Sequence, residues 1–165
     1  MKKLVLIMLM FAPMATFAQK FGYVNTQSIM QSMPEVSKAN GELEAKAKEF
    51  ENDLKAMQDE LQRKSEEYDK TKSTMNATKQ QETEASLQDM YTKIQQTYQD
   101  NQQELRKLQE EKMQPIITKI RNAIDAVGKA GSYVFIFEDG AAVYQSATLS
   151  KDVTAEVKTQ LTKMK

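Results

Sequence analysis

The stretch Gly41–Leu61, GELEAKAKEFENDLKAMQDEL, decides the fold. Its apolar positions are Leu43, Ala47, Phe50, Leu54, Met57 and Leu61, separated alternately by four and three residues. That is a heptad stripe, and it predicts a helix that buries one narrow seam. Acid-then-base pairs four residues apart, Glu44/Lys48, Glu51/Lys55, Glu60/Lys64 and Glu66/Lys70, support the exposed surface of such a helix. Upstream, Ser32-Met33-Pro34-Glu35 has the form of a capping box with proline in the first turn, so the helix is predicted to begin there. From Pro34 to about Met75 it would run roughly 60 Å at 1.5 Å per residue. Residues 73–86 have little to bury, and the chain is expected to turn back within them. The return stripe is Leu87, Tyr91, Ile94, Tyr98, Asn101, Leu105 and Leu108, again at heptad spacing. Asn101 stands at a core position, where a polar residue can set the register at some cost in stability.

Outward from this hairpin the periodicity changes. Pro115 removes one backbone donor and predicts a kink. Beyond it Ile116, Ile117, Ile120, Ile124 and Val127 form a wider apolar face, suited to packing on a sheet, and Gly128 and Gly131 end the helix. Tyr133–Phe137, YVFIF, is the most strand-prone segment of the chain. The Asp139-Gly140 pair after it predicts a tight hairpin, with Ala141 to Tyr144 as the returning strand. Asp152 can cap a last helix that buries Val153, Val157 and Leu161. Before the long helix, the alternation of Phe21, Tyr23 and Asn25 predicts a short strand, and Ser28 to Met33 a helical turn.

Composition removes several function classes. The 165 residues include no histidine and no cysteine, so zinc, iron–sulfur and haem ligand sets, thiol chemistry and imidazole-based nucleophile systems are all unavailable. The 23 basic and 23 acidic residues balance, and Arg63-Lys64 and Arg106-Lys107 are isolated doublets, which argues against a nucleic-acid partner. Adjacent carboxylates such as Glu110 and Glu111 diverge by about 100° on a helix and do not converge on a substrate. No enzyme activity, cofactor or metal is expected.

Residues 1–18 have the pattern of a signal peptide: Lys2 and Lys3, an apolar run from Leu4 to Phe11, and Thr16-Phe17-Ala18 at the cut. The apolar run ends well short of the roughly 20 residues a membrane span needs, so export is expected, with no span in the cleaved chain. What then remains outside the hairpin, 19–33 and 113–165, is small for a single core without disulfide staples. Its strand edges also invite pairing. The expectation is an α+β chain in three parts: the cleaved 1–18, a discontinuous β-rich body from 19–33 and 113–165, and an antiparallel helical hairpin over 34–112. Several copies would complete the body by joining strands through Tyr23, Val24, Val134, Ile136 and Val143.

The order of these parts resembles the OmpH/Skp family of periplasmic chaperones. The resemblance is carried by Gly22-Tyr23-Val24-Asn25, Met33-Pro34-Glu35, Phe135-Ile136-Phe137, Ala142-Val143-Tyr144 and Asp152-Val153-Thr154 with Val157. It covers essentially the whole chain after the cut. It implies a homotrimer in which a central β-barrel body carries helical hairpins around a cavity. It also implies the activity, an ATP-independent holdase that keeps unfolded outer-membrane proteins from aggregating in the periplasm. The chain departs from the often strongly basic members of that family: Glu35 to Lys112 holds 13 basic and 18 acidic residues. No lipid-binding site is therefore carried over, and lipid contact stays open.

A holdase must bind many sequences weakly, and polarizable Met with amphipathic Tyr suits that task. Tyr68, Met75, Met90 and Tyr91 lie where the heptad stripe is thinnest and are the client-facing candidates. The competing reading is that they fill the seam between the helices. The competing function is an exported coiled-coil adaptor that binds one defined envelope partner.

Overall fold

The computed structural model describes residues 19–164; the expected signal peptide, 1–18, lies outside them. The chain forms β1 (Lys20–Val24), α1 (Thr26–Ser32), α2 (Pro34–Thr71), α3 (Ala77–Gly131), β2 (Tyr133–Glu138), β3 (Ser150–Asp152) and α4 (Thr154–Lys163). It divides into two compact units, one of residues up to Thr26 with those from Asn122 onward, the other Gln27–Arg121.

The first unit is built on a three-stranded sheet in the order β2-β1-β3, with both neighbours parallel to β1. This corrects the predicted hairpin. A two-residue type I′ turn needs positive φ at both central residues. Gly140 has φ 80°, but Ser132 is the only other described residue in that region, so Asp139 does not qualify. Instead the Asp139 N–H donates to the Val24 carbonyl at 2.8 Å, continuing the β1–β2 ladder. The Glu138 carboxylate accepts from the Thr26 N–H and hydroxyl at 3.0 and 2.9 Å, satisfying the start of α1. The chain then leaves the sheet, and Ala141–Tyr144 is not a strand. It returns as β3 on the far side of β1, where the Val153 N–H donates to the Tyr23 carbonyl at 2.9 Å.

A bulge sets the faces of β2. Lys20 pairs with Tyr133 and Phe21 with Phe135, so Val134 is the extra residue. Tyr133 and Ile136 consequently share a face against Gly22, whose Cα they approach so closely that an added Cβ would sit 3.3 Å from both side chains. Ile136 also reaches Gly128 near the end of α3. Val24, Ala123, Val153, Val157 and Leu161 are the buried core of this unit. The N-cap of the last helix is Val153, one residue after the expected Asp152, whose carboxylate still accepts from the Thr154 N–H at 2.8 Å. α3 ends at Gly131, where the Tyr133 ring leaves no room for a Cβ, and the left-handed backbone that stops the helix is at Ser132, φ 53°.

The second unit holds the antiparallel pair formed by α2 and α3. α2, 38 residues, is about 57 Å long. Pro34 is in its first turn as predicted, but the capping box does not form. Met33 is the N-cap, and the Ser32 hydroxyl donates to the Ile29 carbonyl at 2.7 Å. The turn is shorter than the predicted 73–86: a 3-10 turn over Lys72–Thr74, then an extended Met75. Asn76, a weak helix former, acts as a cap, its Oδ1 accepting from the Lys79 N–H at 2.8 Å. Gln80 Nε2 closes the turn on the Lys72 and Met75 carbonyls. α3 then continues as one helical element through Pro115.

The seam differs from the predicted stripe in a systematic way. Phe50, Ile94 and Asn101 are buried, but Ala47 is exposed and Lys46 takes its place at the seam, its ammonium 4.6 Å from the Phe50 ring centroid. On α3 the inward positions are Leu87, Met90, Ile94, Thr97 and Asn101, while Tyr91 and Tyr98 face solvent. Of the four predicted ion pairs only Glu60–Lys64 forms among the described residues, at 3.3 Å. The rest of the surface uses pairs such as Lys38–Glu42 and Arg63–Glu67, each worth little at an exposed site.

Candidate functional site

The chain presents two surfaces that could hold another molecule. On the hairpin, charge pairs bridge the first third of α2 to α3: Glu35–Lys119 at 2.8 Å, Glu42–Lys112 at 2.6 Å and Lys46–Glu104 at 3.8 Å. Hydrogen bonds from Lys119 and Lys112 hold the Glu35 and Glu42 carboxyls below the usual range, and Glu42 in turn raises Lys112. Nearer the turn, the Tyr68 hydroxyl donates to Glu84 at 2.5 Å, and this bond to a carboxylate raises the phenol. Tyr68 is therefore half-buried and engaged between the helices. Met75 is half-buried at the turn, and Met90 is half-buried in the seam. Tyr91, 51% exposed, borders an open groove of about 630 Å³ whose apolar floor is Leu61, Leu87 and Ile94. Tyr98, 56% exposed and one heptad further on, was hidden from sequence reasoning because its spacing also fits the seam.

The second surface is the outer face of the sheet. The rings of Phe21 and Phe135 stack with centroids 6.3 Å apart and planes within 7°, and Phe135 stacks on Phe137 at 5.7 Å. Phe135 and Phe137 remain about half exposed, as does Val134 at the bulge. Beside them a groove of about 280 Å³ runs between this face and the segment carrying Tyr144 and Leu149, both largely exposed. Tyr23 is half-buried on the same face, and Val143 is fully exposed. Val24 and Ile136, by contrast, are occupied inside the unit itself. The phenylalanines were legible as strand residues, but the bulge that decides their face was not. Strand β2 is moreover an edge of the sheet.

Among the described residues no group of three or more Asp or Glu is placed to hold a metal ion, and no helix is long and apolar enough to cross a membrane. Both surfaces are instead suited to apolar and hydrogen-bonded contact.

Comparison with known proteins places this architecture. A crystal structure from Caulobacter crescentus, described as a proposed outer membrane chaperone (OmpH-like), superposes with a TM-score of 0.75 at 15% identity, covering 87% of this chain and 83% of that one. At that identity the likeness concerns the fold. No curated protein matches the chain. Residues 20–161, nearly all of those described, match the family of outer membrane proteins termed OmpH-like. Because that match spans most of the chain, the chain is a member of the OmpH-like family.

Proposed function

We propose that the protein is an ATP-independent holdase of the periplasm that binds unfolded outer-membrane proteins and prevents their aggregation, working as a homotrimer with the client between its helical hairpins. The observation that carries this reading is the apolar surface left uncovered on both units: Phe135, Phe137, Tyr144 and Leu149 on the sheet, and Tyr91 and Tyr98 on the hairpin. Single monomeric domains rarely expose contiguous patches of large apolar side chains. The sheet face lies beside an edge strand, which favours closure by further copies of the chain. In this reading Val134, Val143 and Tyr23 meet the neighbouring copy, and strand joining completes a β-barrel-type body. The hairpin surface remains for the client, with Tyr91 the most accessible of the four residues expected to face it. Tyr68, Met75 and Met90 serve chiefly to shape the groove from within.

The test is dilution of a urea-denatured outer-membrane porin into buffer without nucleotide, with and without the purified protein, followed by light scattering. Suppression near one trimer per porin is expected. Absence of suppression together with tight binding to one folded envelope protein would support an adaptor instead. Multi-angle scattering on the protein alone reads the assembly; a monomer at micromolar concentration contradicts strand joining.

A further inference from the structure

Around α3 the side chains sort into three stripes, and one of them has no role in the hairpin itself. Glutamine recurs at every seventh residue for five heptads: Gln81, Gln88, Gln95, Gln102 and Gln109. Heptad spacing returns to nearly the same azimuth, so all five share one face of the helix. Tyr91 and Tyr98 lie on that face between them, with Thr92 and Gln99 alongside. From Gln88 to Gln102, about 21 Å of helix, this flank carries no charge. The charged residues of the same turns, Asp89, Lys93, Asp100 and Glu104, fall on the far side. A coiled-coil helix ordinarily flanks its seam with charges on both sides; here only one flank is charged. All five glutamines are exposed, and none of their side-chain amides makes a hydrogen bond among the described residues. Across the groove, Gln58 and Gln62 of α2 add two more amides, while the two carboxylates of the lining, Glu66 and Glu84, stand at its end toward the turn and are engaged by Gln62 Nε2 and the Tyr68 hydroxyl.

We infer that this neutral stripe, with the groove floored by Leu61, Leu87 and Ile94, is where an extended segment of the client polypeptide lies. The inference rests on the holdase reading above and adds the mode of recognition. An unfolded chain offers backbone N–H and C=O groups that lack partners, together with apolar side chains. A glutamine amide both donates and accepts, so it pairs with main chain of any sequence. The tyrosines supply apolar contact with a polar tip. A second helix would fit this stripe poorly, because its own backbone is already satisfied and it seeks an apolar seam. Anionic lipid is disfavoured by the lack of cations. At about 3.3 Å per residue the stripe accommodates roughly six extended client residues. Recognition of this kind is nearly independent of salt.

The experiment uses the full protein and a fluorescently labelled, urea-denatured porin, with Kd from anisotropy at low and high NaCl. The wild-type Kd should change less than about twofold between 50 and 500 mM NaCl. The double variant Gln88→Glu with Gln95→Glu keeps helix propensity and should weaken binding by about tenfold or more, as burying unpaired carboxylates against client backbone is costly. Lys93→Gln with Lys107→Gln changes net charge equally on the opposite flank and should leave Kd within twofold. Tyr91→Ala with Tyr98→Ala should weaken binding with helicity retained. Equal behaviour of the two charge-matched pairs, strong salt dependence of the wild type, or an altered assembly mass for the Gln→Glu pair would overturn the inference. A wild-type protein that suppresses no aggregation would instead overturn the holdase reading.

Discussion

Asn101→Leu should make the hairpin more stable. Asn101 is the one buried polar residue among those described, 8% exposed, and its Nδ2 has no hydrogen-bond partner. A buried donor left unmade costs about 1–3 kcal/mol. Leucine removes that cost, has the better helix propensity, and extends the apolar seam of Leu87, Met90 and Ile94. The net gain should be about 1–3 kcal/mol, or a rise of roughly 3–10 °C in the helix melting midpoint for a chain of this size. Circular dichroism at 222 nm, by heating and by urea titration, reads the change. Asn101→Ala separates the parts, since it also removes the orphan amide but leaves a void; it should fall well below leucine and near the wild type. If Asn101→Leu were neutral or destabilising with unchanged assembly mass, the amide would not be unsatisfied and the placement of Asn101 in the seam would be wrong.

Other perturbations probe separate parts of the molecule. Val157, fully buried in the first unit, should cost about 2–3 kcal/mol when cut to alanine, seen as a lower urea midpoint at unchanged slope. Two glycines should respond with opposite sign. Gly131→Ala pushes a Cβ into the Tyr133 ring, with Cδ2 2.6 Å away, and should destabilise by about 1–3 kcal/mol. Gly41→Ala, with open space around it inside α2, should stabilise by roughly 0.5–1 kcal/mol. Acid should loosen the hairpin. The Glu35 and Glu42 carboxyls are lowered from 4.5 by their lysine partners, so the unfolded chain binds protons more readily there. Their contribution is present above about pH 5 and lost as pH falls through the depressed folded values. The melting midpoint should drop on going from pH 5 to pH 3, and Glu42→Gln should flatten that drop.

Local repeats and termination signals made the helices legible. Pro34 in the first turn, the long helical runs of α2 and α3, the end at Gly131 and the bond from Thr154 N–H to Asp152 all follow from interactions within a few residues. The sequence left three choices undetermined. Leu87-Tyr91-Ile94-Tyr98 and Leu87-Met90-Ile94-Thr97 both alternate threes and fours, so either could be the seam. The partner helix selects between them, and in doing so it turns the tyrosines outward beside the glutamines. Likewise Asp139-Gly140 signalled a turn, but whether the chain folds back on β2 or crosses to the other edge of β1 depends on bonds to Val24, Thr26 and Tyr23, more than a hundred residues away. The Val134 bulge, which decides which face the phenylalanines take, also arises only from pairing with β1. By itself, then, the sequence determined the two long helices, the strands at Lys20–Val24 and Tyr133–Glu138 and the last helix, because those preferences are local, but not that Ser150–Asp152 rather than Ala141–Tyr144 is the third strand. Tertiary structure decided which side of each element is left uncovered, because that is set by a partner distant in the chain, and the proposed binding surfaces lie on those uncovered sides.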